Sequence, residues 1–316
     1  MCEVRDLISV IVPCFNEEDA LPYFYKAFKE TAREMAGVPF ELIFVDDGSR
    51  DDTLSIMKEL AEKDADVRWI SFSRNFGKEA AVLAGMRAAK GDYVCLMDAD
   101  LQHPPALLPE MYRAVTEEGY DSAATRRVTR KGEPPIRSFF ARRFYKIMNR
   151  ISDTDLVDGA TDFRLMNRKF VDALLSLEEY NRFSKGLFGW VGFRTKWIEF
   201  ENTARVAGET KWSFWGLLTY AVEGIVAFST KPLVIATICG ILCCLIAMGS
   251  VLFIVVRYLL FGDPVQGWAS LICVILLLGG VQLLSIGILG QYLAKTYLET
   301  KHRPSYIIKS SNISET

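Results

Sequence analysis

The stretch from Tyr93 to Pro105, YVCLMDADLQHPP, decides the fold. An apolar run typical of a buried strand leads directly into Asp98 and Asp100. Because side chains alternate along a strand, we expect both carboxylates to point the same way where the strand ends. The two prolines then stop the strand and predict the start of a helix. Paired carboxylates at the edge of a parallel sheet suit Mg²⁺ or Mn²⁺ holding a diphosphate, although a solvated turn with two incidental acids fits the same residues.

Three earlier apolar runs have the same form, a predicted strand with polar residues directly after it. The four predicted strands are Leu7–Val12, Phe40–Val45, Val67–Phe72 and Tyr93–Met97. Helical patterns follow the first three, from Ala20 to Met35, from Asp51 and Asp52 to Lys63, and through Ala89. This alternation predicts a doubly wound, mostly parallel α/β sheet whose ligand lies beyond the carboxyl ends of the strands. The glycine-rich turn of a dinucleotide site is missing after the first strand, so NAD is not expected.

Composition and charge exclude other classes of protein. The chain has 316 residues and a net charge of −2, so no nucleic acid is expected as a partner. Its seven cysteines show neither metal-ligand spacing nor a disulfide framework, which fits a reducing compartment. The chain enters its first predicted strand almost at once, so no signal peptide is expected.

The composition changes sharply near residue 231. Two runs without a charged residue, Pro232–Val256 and Pro264–Ala294, each exceed the ~20 residues that span a bilayer. A buried core helix is the alternative, but uncharged runs of this length favour two transmembrane helices. Basic residues after the second run, and the long polar part before the first, predict that both ends lie in the cytoplasm. Small-residue surfaces that allow a homo-oligomer occur at Gly279, Gly280, Gly287 and Gly290.

The segment that precedes these runs is basic and amphipathic. On a helical wheel it separates into an apolar face, with Phe140, Phe144, Ile147, Met148 and Ile151, and a basic face, with Arg142, Arg143, Lys146 and Arg150. This pattern predicts a helix in the membrane interface, although a solvated helix packed on the protein has the same pattern. A second interfacial helix is predicted at Trp212–Val222.

Four motifs follow the predicted strands: Val12–Glu18 (VPCFNEE), Asp46–Ser49 (DDGS), Arg74–Lys78 (RNFGK) and Asp98–Pro105 (DADLQHPP). Together they resemble the inverting glycosyltransferases of family 2, which have a GT-A fold. The polyprenyl-phosphate branch of that family, the dolichol-phosphate mannose synthase and bactoprenol glucosyltransferase type, is similar in further segments. These are Asp162–Leu165 (DFRL), Arg205–Lys211 (RVAGETK) and Gly287–Tyr292 (GILGQY), so the resemblance covers nearly the whole chain.

The resemblance implies a role for each matching residue. Nucleotide contacts are implied for Pro13, Asn16, Glu18, Asp46, Asp47, Lys78 and Asp98. Mg²⁺ or Mn²⁺ ligation is implied for Asp98, Asp100 and Gln102. Catalytic roles are implied for Asp100 and for Asp162, the latter at the acceptor end. Binding of the acceptor phosphate is implied for Arg126, Arg205 and Lys211.

The implied protein is an integral membrane enzyme that transfers a sugar, with inversion, from a nucleotide-diphosphate sugar to polyprenyl phosphate. A UDP-sugar donor is expected, with GDP-mannose as the alternative, and undecaprenyl phosphate is the expected acceptor at the cytoplasmic face of the bilayer. The implied domains are a GT-A core (1–130), an acceptor region with interfacial helices (131–230), two transmembrane helices (231–295) and a cytoplasmic tail (296–316).

Two other functions remain as alternatives. A processive polysaccharide synthase normally carries Gln-x-x-Arg-Trp after the acids, whereas the only Arg-Trp here is Arg68-Trp69, upstream of them and without the Gln. A membrane scaffold or lipid-translocating subunit needs none of the acids that follow the four strands.

Two titratable residues keep open interpretations. Asp162 is either paired with Arg164 or Arg168 for structure or exposed at the cleft for chemistry, and the resemblance favours chemistry. His103 could touch the cation, but a loop histidine is more often solvated, and we assign it no chemistry.

Overall fold

The computed structural model of the protein describes residues 6–128, 157, 159–200, 226, 229–261 and 267–313. The chain forms two compact units. One comprises Met1–Ala221 with Arg303–Thr316, and the other is Val222–His302. The predicted interfacial helices, with Arg142, Arg143, Lys146 and Arg150, lie outside the described residues, as do Arg205 and Lys211.

The first unit alternates strands and helices from its start. Its strands are β1 (Ile8–Cys14), β2 (Phe40–Asp46), β3 (Val67–Phe72), β4 (Tyr93–Leu96), β5 (Ser122–Arg127), β6 (Ala160–Asn167), β7 (Thr195–Phe200) and β8 (Ile308–Ser311). Its helices are α1 (Leu21–Glu34), α2 (Thr53–Lys63), α3 (Lys78–Ala88), α4 (Leu108–Thr116), α5 (Arg168–Leu175) and α6 (Ser184–Trp190). The second unit has the helices α7 (Lys231–Phe261) and α8 (Trp268–Thr300).

The strands form one sheet in the order β7-β5-β6-β4-β1-β2-β3-β8. The central strands β4, β1, β2 and β3 are parallel, and β6 runs antiparallel to both β4 and β5. The predicted mostly parallel, Rossmann-like sheet is confirmed. Because the four central strands share a direction, the loops that follow them meet at one edge of the sheet.

The central strands are mostly apolar because helices cover both faces of the sheet. In β1, Ile8, Val10, Ile11 and Val12 are fully buried. Helix α3 packs closely on this strand at Gly85, where an added Cβ would lie 2.2 Å from the Cγ2 atom of Ile11. This close packing holds α3, whose first residue is Lys78, against the centre of the sheet.

The strand before the acidic pair is shorter than predicted. Strand β4 ends at Leu96, and a turn then leads to a short 3₁₀ helix at Pro105–Leu107 and to α4. Asp98 and Asp100 therefore lie in the turn beyond the strand, where side chains no longer alternate. Strand alternation is the wrong basis for their common direction, although the predicted helix after the prolines is present.

The sheet extends beyond residue 130, where the predicted core ends. Strands β6 and β7 lie between residues 160 and 200, and β7 pairs in parallel with β5. At the opposite edge β8, from the predicted tail, pairs antiparallel with β3. Sequence patterns gave no sign of this last pairing, because β8 is short and about 240 residues from its partner.

Tyr306 fastens the returning chain to the sheet. Its ring stacks on Phe72 with centroids 5.0 Å apart, and the Arg87 guanidinium lies 5.8 Å from the same ring. Phe72 in turn meets Phe76, which precedes the start of α3. The tail therefore supports the loop from which Lys78 projects.

We expect Tyr306→Ala to lower the melting temperature of the protein by roughly 4–8 °C. Losing a half-buried stacked ring costs about 2 kcal/mol, and in a unit of this size each kcal/mol corresponds to ~2–4 °C. Tyr306→Phe is the matched control, because it keeps the ring and loses only a hydroxyl 3.4 Å from Arg87. Equal melting temperatures for the two variants, measured by scanning calorimetry, would contradict this role.

The second unit has the length and apolar surface of membrane-spanning helices. Lys231–Arg257 and Leu277–Thr300 are long and apolar enough to cross a bilayer, with mean hydropathies of 2.8 and 1.5, and neither is buried in the protein. Large apolar side chains such as Leu252 and Leu283 are 66% and 72% exposed.

Candidate active site

Lys78, the first residue of α3, lies between two carboxylates from different parts of the sheet. Its Nζ atom is 2.7 Å from Oδ1 of Asp98 and 2.6 Å from Oδ2 of Asp162. Asp162 belongs to β6, and the register of β6 against β4 pairs Leu96 with Arg164, so Asp162 lies beside the turn after β4. The fold thus brings together three predicted site residues, and Asp162 pairs with Lys78 rather than with Arg164 or Arg168.

The charges of this cluster reinforce one another. Burial acts to raise the pKa of Asp162, but the ammonium groups of Lys78 and Lys185 outweigh it and hold that pKa well below the ordinary range. Burial likewise acts to lower the pKa of Lys78, and the Asp162 and Asp98 carboxylates more than reverse this. The Lys78 side chain is 44% exposed, so solvent screens part of the attraction. Asp162 is consequently ionised throughout the neutral pH range.

Removing the positive charge of this cluster should destabilise the protein in a pH-dependent way. The depressed pKa of Asp162 contributes to the stability of the folded state. This contribution is complete above pH ~3.9, the ordinary pKa of an aspartate, and is lost as the pH falls. The raised pKa of Lys78 makes a second contribution, which is complete below pH ~10.4, the ordinary pKa of a lysine, and is lost as the pH rises. We therefore expect Lys78→Gln to melt below the wild type between about pH 5 and pH 10, with a gap that narrows in acid.

The matched control for this pH dependence is Lys63→Gln. It removes the same charge from an exposed residue, whose Nζ atom is 3.5 Å from Glu59. The measurement is the melting temperature of each variant from pH 3 to pH 8. A Lys78→Gln gap that stays constant across this range would contradict the account.

The acids after β2 hold the neighbouring loops in place. Asp46 is 1% exposed, and its carboxylate accepts hydrogen bonds from Ser49 N at 2.8 Å and Ser71 Oγ at 2.7 Å. Asp47 accepts from the backbone N–H groups of Phe76 at 2.6 Å and Gly77 at 2.9 Å. Burial raises the pKa of Asp47, and these two donors partly offset the rise. Both carboxylates connect loops within the sheet edge, and their implied contact with a nucleotide stays a prediction.

Gly48 allows the loops after β2 and β3 to approach each other. Its φ is +71°, and a Cβ there would lie 2.5 Å from the carbonyl carbon of Arg74. A side chain at this position would therefore both strain the turn and collide with backbone. This approach brings the loop of Asp47 against the segment that leads into Lys78.

The loop after β1 is fastened to the loop after β2. Asn16, which has a φ of 54°, accepts a hydrogen bond from Arg50 N at 2.9 Å, and its own N–H donates to Ser49 Oγ at 3.0 Å. Glu18 accepts from Asp52 N at 2.9 Å. Pro13 lies one residue before the end of β1 and pairs in register with β2. These predicted nucleotide contacts therefore stand at one sheet edge, where several of their polar atoms hold the loops together.

The candidate metal ligands after β4 offer hard oxygen atoms. Asp100 Oδ1 accepts a hydrogen bond from Gln102 N at 3.1 Å, and Gln102 Oε1 accepts one from Arg127 at 3.4 Å. Across the described residues no group of three or more His, Cys, Asp or Glu side chains is arranged to hold a metal. One or two carboxylates are nevertheless what Mg²⁺ usually takes from a protein, with water and substrate phosphates as its other ligands. Asp98 and Asp100 fit that donor set.

His103 is buried, so the expectation of a solvated histidine is wrong. It is 5% exposed, and its ring centroid lies 6.2 Å from that of Phe163 and 5.4 Å from that of Phe200. Neither ring nitrogen has a hydrogen-bond partner within the described part of the chain. Burial lowers the pKa of His103, so the imidazole is neutral at pH 7.

The structure adds residues to the site that the sequence did not single out. Glu79, next to Lys78, accepts hydrogen bonds from Ser184 N and from the Ser184 hydroxyl at the start of α6. Burial raises the pKa of Glu79. This contact ties α6, which carries Lys185, to the start of α3. No motif signals it, because the two segments are over 100 residues apart.

The candidate acceptor residues are only partly described. Arg126 lies in β5 and pairs with Glu199 in β7, with its Nε atom 3.0 Å from Oε1. The regular register of β5 against β7 puts it on the same face of β5 as Ala124, two residues earlier.

Acids and a lysine gather at the carboxyl edge of this Rossmann-like sheet, where open α/β sheets bind their ligands. The family model described as Glycosyl transferase family 2 matches residues 9–175. The chain is 45% identical over 309 residues to CsbB of Bacillus subtilis (strain 168), covering 98% of this chain and 93% of that relative, which bears a glycosyltransferase name.

Two further relatives match over the same length. The chain is 42% identical over 303 residues to the bactoprenol glucosyl transferase of Shigella phage SfV, and 41% identical over 302 residues to the prophage bactoprenol glucosyl transferase homolog of Escherichia coli (strain K12). Each match covers 96% of this chain and 98% of the relative. The protein belongs to family 2 of the glycosyl transferases, and the implied family, GT-A fold class and enzymatic nature are confirmed.

Proposed function

We propose that this glycosyltransferase moves a sugar from a nucleotide-diphosphate sugar to the phosphate of a polyprenol such as undecaprenyl phosphate. The observation that carries the proposal is the cluster of Lys78, Asp98 and Asp162 at the carboxyl edge of the sheet. It stands in a chain that matches relatives named bactoprenol glucosyl transferases over nearly their whole length. A UDP-sugar is the donor that we propose.

The donor end of the site is the edge formed by the loops after β1, β2 and β4. Pro13, Asn16 and the acids Asp46 and Asp47 lie there, and in this proposal they line the nucleoside and ribose. Asp98, Asp100 and Gln102 would hold Mg²⁺ or Mn²⁺, which when bound supplies positive charge that stabilises the diphosphate leaving group. Lys78 adds a cation to the same region.

The acceptor end of the site is Asp162. A phosphate monoester has a second pKa of ≈ 6, so it is already largely ionised near neutral pH and needs no strong base. The depressed pKa of Asp162 suits it to orient the attacking phosphate and to accept only a residual proton. Attack from the face of the anomeric carbon opposite the diphosphate inverts that carbon. Arg126, Arg205 and Lys211 are the proposed partners of the acceptor phosphate.

The apolar second unit would anchor the enzyme in the bilayer that contains the lipid acceptor. We propose that α7 and α8 span the bilayer, since both are long, apolar and exposed. The chain leaves the sheet unit before α7 and returns to it with β8 after α8, so two spans leave both ends of the chain on one side. That side is the cytoplasm in this proposal, where nucleotide sugars are found. A homo-oligomer formed through the glycines of α8 is compatible with this arrangement.

The alternatives make different predictions for the same cluster. A scaffold gains nothing from a lysine held between two partly exposed carboxylates, whereas a transferase uses such a cluster at the point of reaction. A processive synthase would extend a polysaccharide and would not depend on a lipid phosphate.

The test is the acceptor dependence of UDP release by the purified full-length protein in detergent. UDP-glucose and UDP-N-acetylglucosamine, with GDP-mannose for comparison, are each incubated with undecaprenyl phosphate, with undecaprenol, or with neither. We expect rapid release of UDP only in the reactions that contain undecaprenyl phosphate as the acceptor. Release that is equal in all three conditions, or absent with every donor, would contradict the proposed function.

A further inference from the structure

A cavity of about 250 Å³ opens in the first unit next to the acceptor end of the site. One of its lining residues, Thr161, immediately precedes Asp162 in β6. The other lining residues include two with cationic side chains, Arg164 and Lys185, and three with aromatic side chains, Phe188, Phe193 and Trp197. Of these cationic and aromatic residues only Arg164 belongs to a segment that resembles the family, Asp162–Leu165 (DFRL).

The strand register explains why the cavity is there. Ala124 of β5 pairs with Arg164 of β6 on one side and with Trp197 of β7 on the other, so the three residues form one row across the sheet. Because the middle residue of this row is an alanine, space remains between the two large side chains. Helix α6 covers that space and contributes Lys185 and Phe188.

Arg164 is a buried cation that lacks a full set of partners. It is 3% exposed, and its guanidinium lies 4.4 Å from the ring centroid of Phe188 and 5.5 Å from that of Trp197. Its Nη1 atom donates to Ser122 Oγ at 3.2 Å and to Thr195 Oγ1 at 3.4 Å. Within the described residues its Nε atom has no hydrogen-bond partner, and no carboxylate lies within 4.0 Å of its guanidinium.

Such a charge calls for an anionic ligand. Burying a charge is costly unless an opposite charge or hydrogen bonds compensate it. Burial lowers the pKa of Arg164 to about 9, although the Asp162 carboxylate acts to raise it, so the guanidinium stays charged at neutral pH. Lys185 adds a second cation to the cavity. The aromatic walls favour an apolar group next to the anion. A neutral hexose would add no negative charge beyond that of the nearby Asp162 carboxylate to compensate the buried guanidinium.

From this geometry we infer that the cavity holds the phosphate and the first isoprene units of the lipid acceptor, with Arg164 and Lys185 on the phosphate and Phe188, Phe193 and Trp197 on the isoprenes. The inference rests on the proposed function, and it adds an acceptor pocket to the residues Arg126, Arg205 and Lys211. Asp162, which follows the lining residue Thr161 in β6, would then meet the phosphate held in the cavity.

The experiment is a binding titration of the full-length protein in detergent with four probes: farnesyl phosphate, farnesol, inorganic phosphate and UDP-glucose. The variants are Arg164→Gln and Lys185→Gln. The control variant is Arg168→Gln, because Arg168 is a half-buried arginine just after β6 that donates to the backbone carbonyl oxygens of Ala89 and Gly91, each at 3.0 Å. Each protein is also checked for folding by its melting temperature.

We expect farnesyl phosphate to bind at least ~10-fold more weakly to each cavity variant than to the wild type or to Arg168→Gln, because a charged hydrogen bond to the phosphate is lost. UDP-glucose affinity should not change, and both farnesol and inorganic phosphate should bind the wild type more weakly than farnesyl phosphate. If Arg164→Gln does not fold, the farnesyl phosphate affinity of Lys185→Gln tests the inference by itself.

Three results would overturn the inference. If the folded cavity variants bind farnesyl phosphate as tightly as the wild type does, the cavity is not part of the acceptor site. If they lose affinity only for UDP-glucose, the cavity belongs to the donor site. Inorganic phosphate binding as tightly as farnesyl phosphate would also overturn it, since the aromatic walls would then have no lipid to hold. These outcomes concern binding alone, so they are distinguishable from a failure of UDP release in the acceptor assay.

Discussion

Asp162→Asn should fold and bind UDP-sugar like the wild type and yet lose ~10²–10⁴-fold in kcat, the range typical of a positioned acid or base. The structure supplies the reason. Asp162 lies in β6 beside the turn after β4, where Lys78 links it to Asp98. Asparagine keeps the shape of the side chain but removes the charge that orients the acceptor and the ammonium group between the two acids.

Steady-state kinetics separate this role from a structural one. A residue that acts only on the reacting acceptor lowers kcat and leaves the donor KM unchanged, whereas a residue that supports the fold lowers the melting temperature and leaves the turnover of the folded fraction intact. Asp172→Asn is the control, because it removes a carboxylate that is 61% exposed and lies 3.9 Å from Arg168. A folded Asp162→Asn protein with normal kcat would contradict the assignment.

The second large effect concerns the acids after β4. Asp100→Asn should reduce turnover by more than about 100-fold, since a direct metal ligand should matter more than the outer-shell residues whose loss typically costs 10–100-fold. An excess of chelator should abolish the activity of the wild type, and added Mg²⁺ or Mn²⁺ should restore it. Asp98 and Asp100 offer the pair of carboxylates that such a cation takes from a protein beside a diphosphate.

Asp92→Asn provides the matched control for Asp100→Asn. Asp92 is an exposed acid that directly precedes β4, at the opposite end of that strand from the acidic pair. Its loss should leave both activity and metal dependence unchanged. Full wild-type activity in excess chelator would show that the acids serve the fold and would contradict metal-assisted transfer.

The sequence predicted the parts of the fold that depend on local pattern. Mostly apolar runs with helical segments between them are enough to identify β1 to β4, because a strand buried on both faces has few polar positions. The prolines after the acids predicted the helix that follows. The predicted end of β4 is one residue too late. The apolar Met97 continues the strand pattern, but the strand ends at Leu96.

Long-range contacts could not be predicted in this way. Asp162 was expected to pair, if at all, with Arg164 or Arg168 nearby in sequence, and the lysine that it meets is 84 residues away. The pairing of β8 with β3 and the contact of Tyr306 with Phe72 have the same character. Motifs indicated which residues gather at the sheet edge, but not that Asp46 and Asp47 turn inward to hold its loops.

Arg164 is a charged residue whose place in the sequence indicates more than a structural ion pair. Arg164 interrupts the apolar run of β6, and a cation in a buried strand needs either a carboxylate or a ligand. The sequence suggested Asp162 as its partner. In the structure the aromatic rings around Arg164 and the lysine between Asp162 and Asp98 replace that pair, which leaves the guanidinium facing a cavity.

The central claim, transfer of one sugar to a lipid phosphate, is tested most directly by the mass of the lipid product. Purified protein is incubated with undecaprenyl phosphate, UDP-glucose and Mg²⁺, and the extracted lipid is analysed by mass spectrometry beside an Asp162→Asn reaction. The account predicts that the wild type converts undecaprenyl phosphate into a species heavier by one hexose residue, and that the variant leaves the lipid unchanged. An unaltered lipid from the active wild type, with free glucose or a polysaccharide as the product, would contradict it.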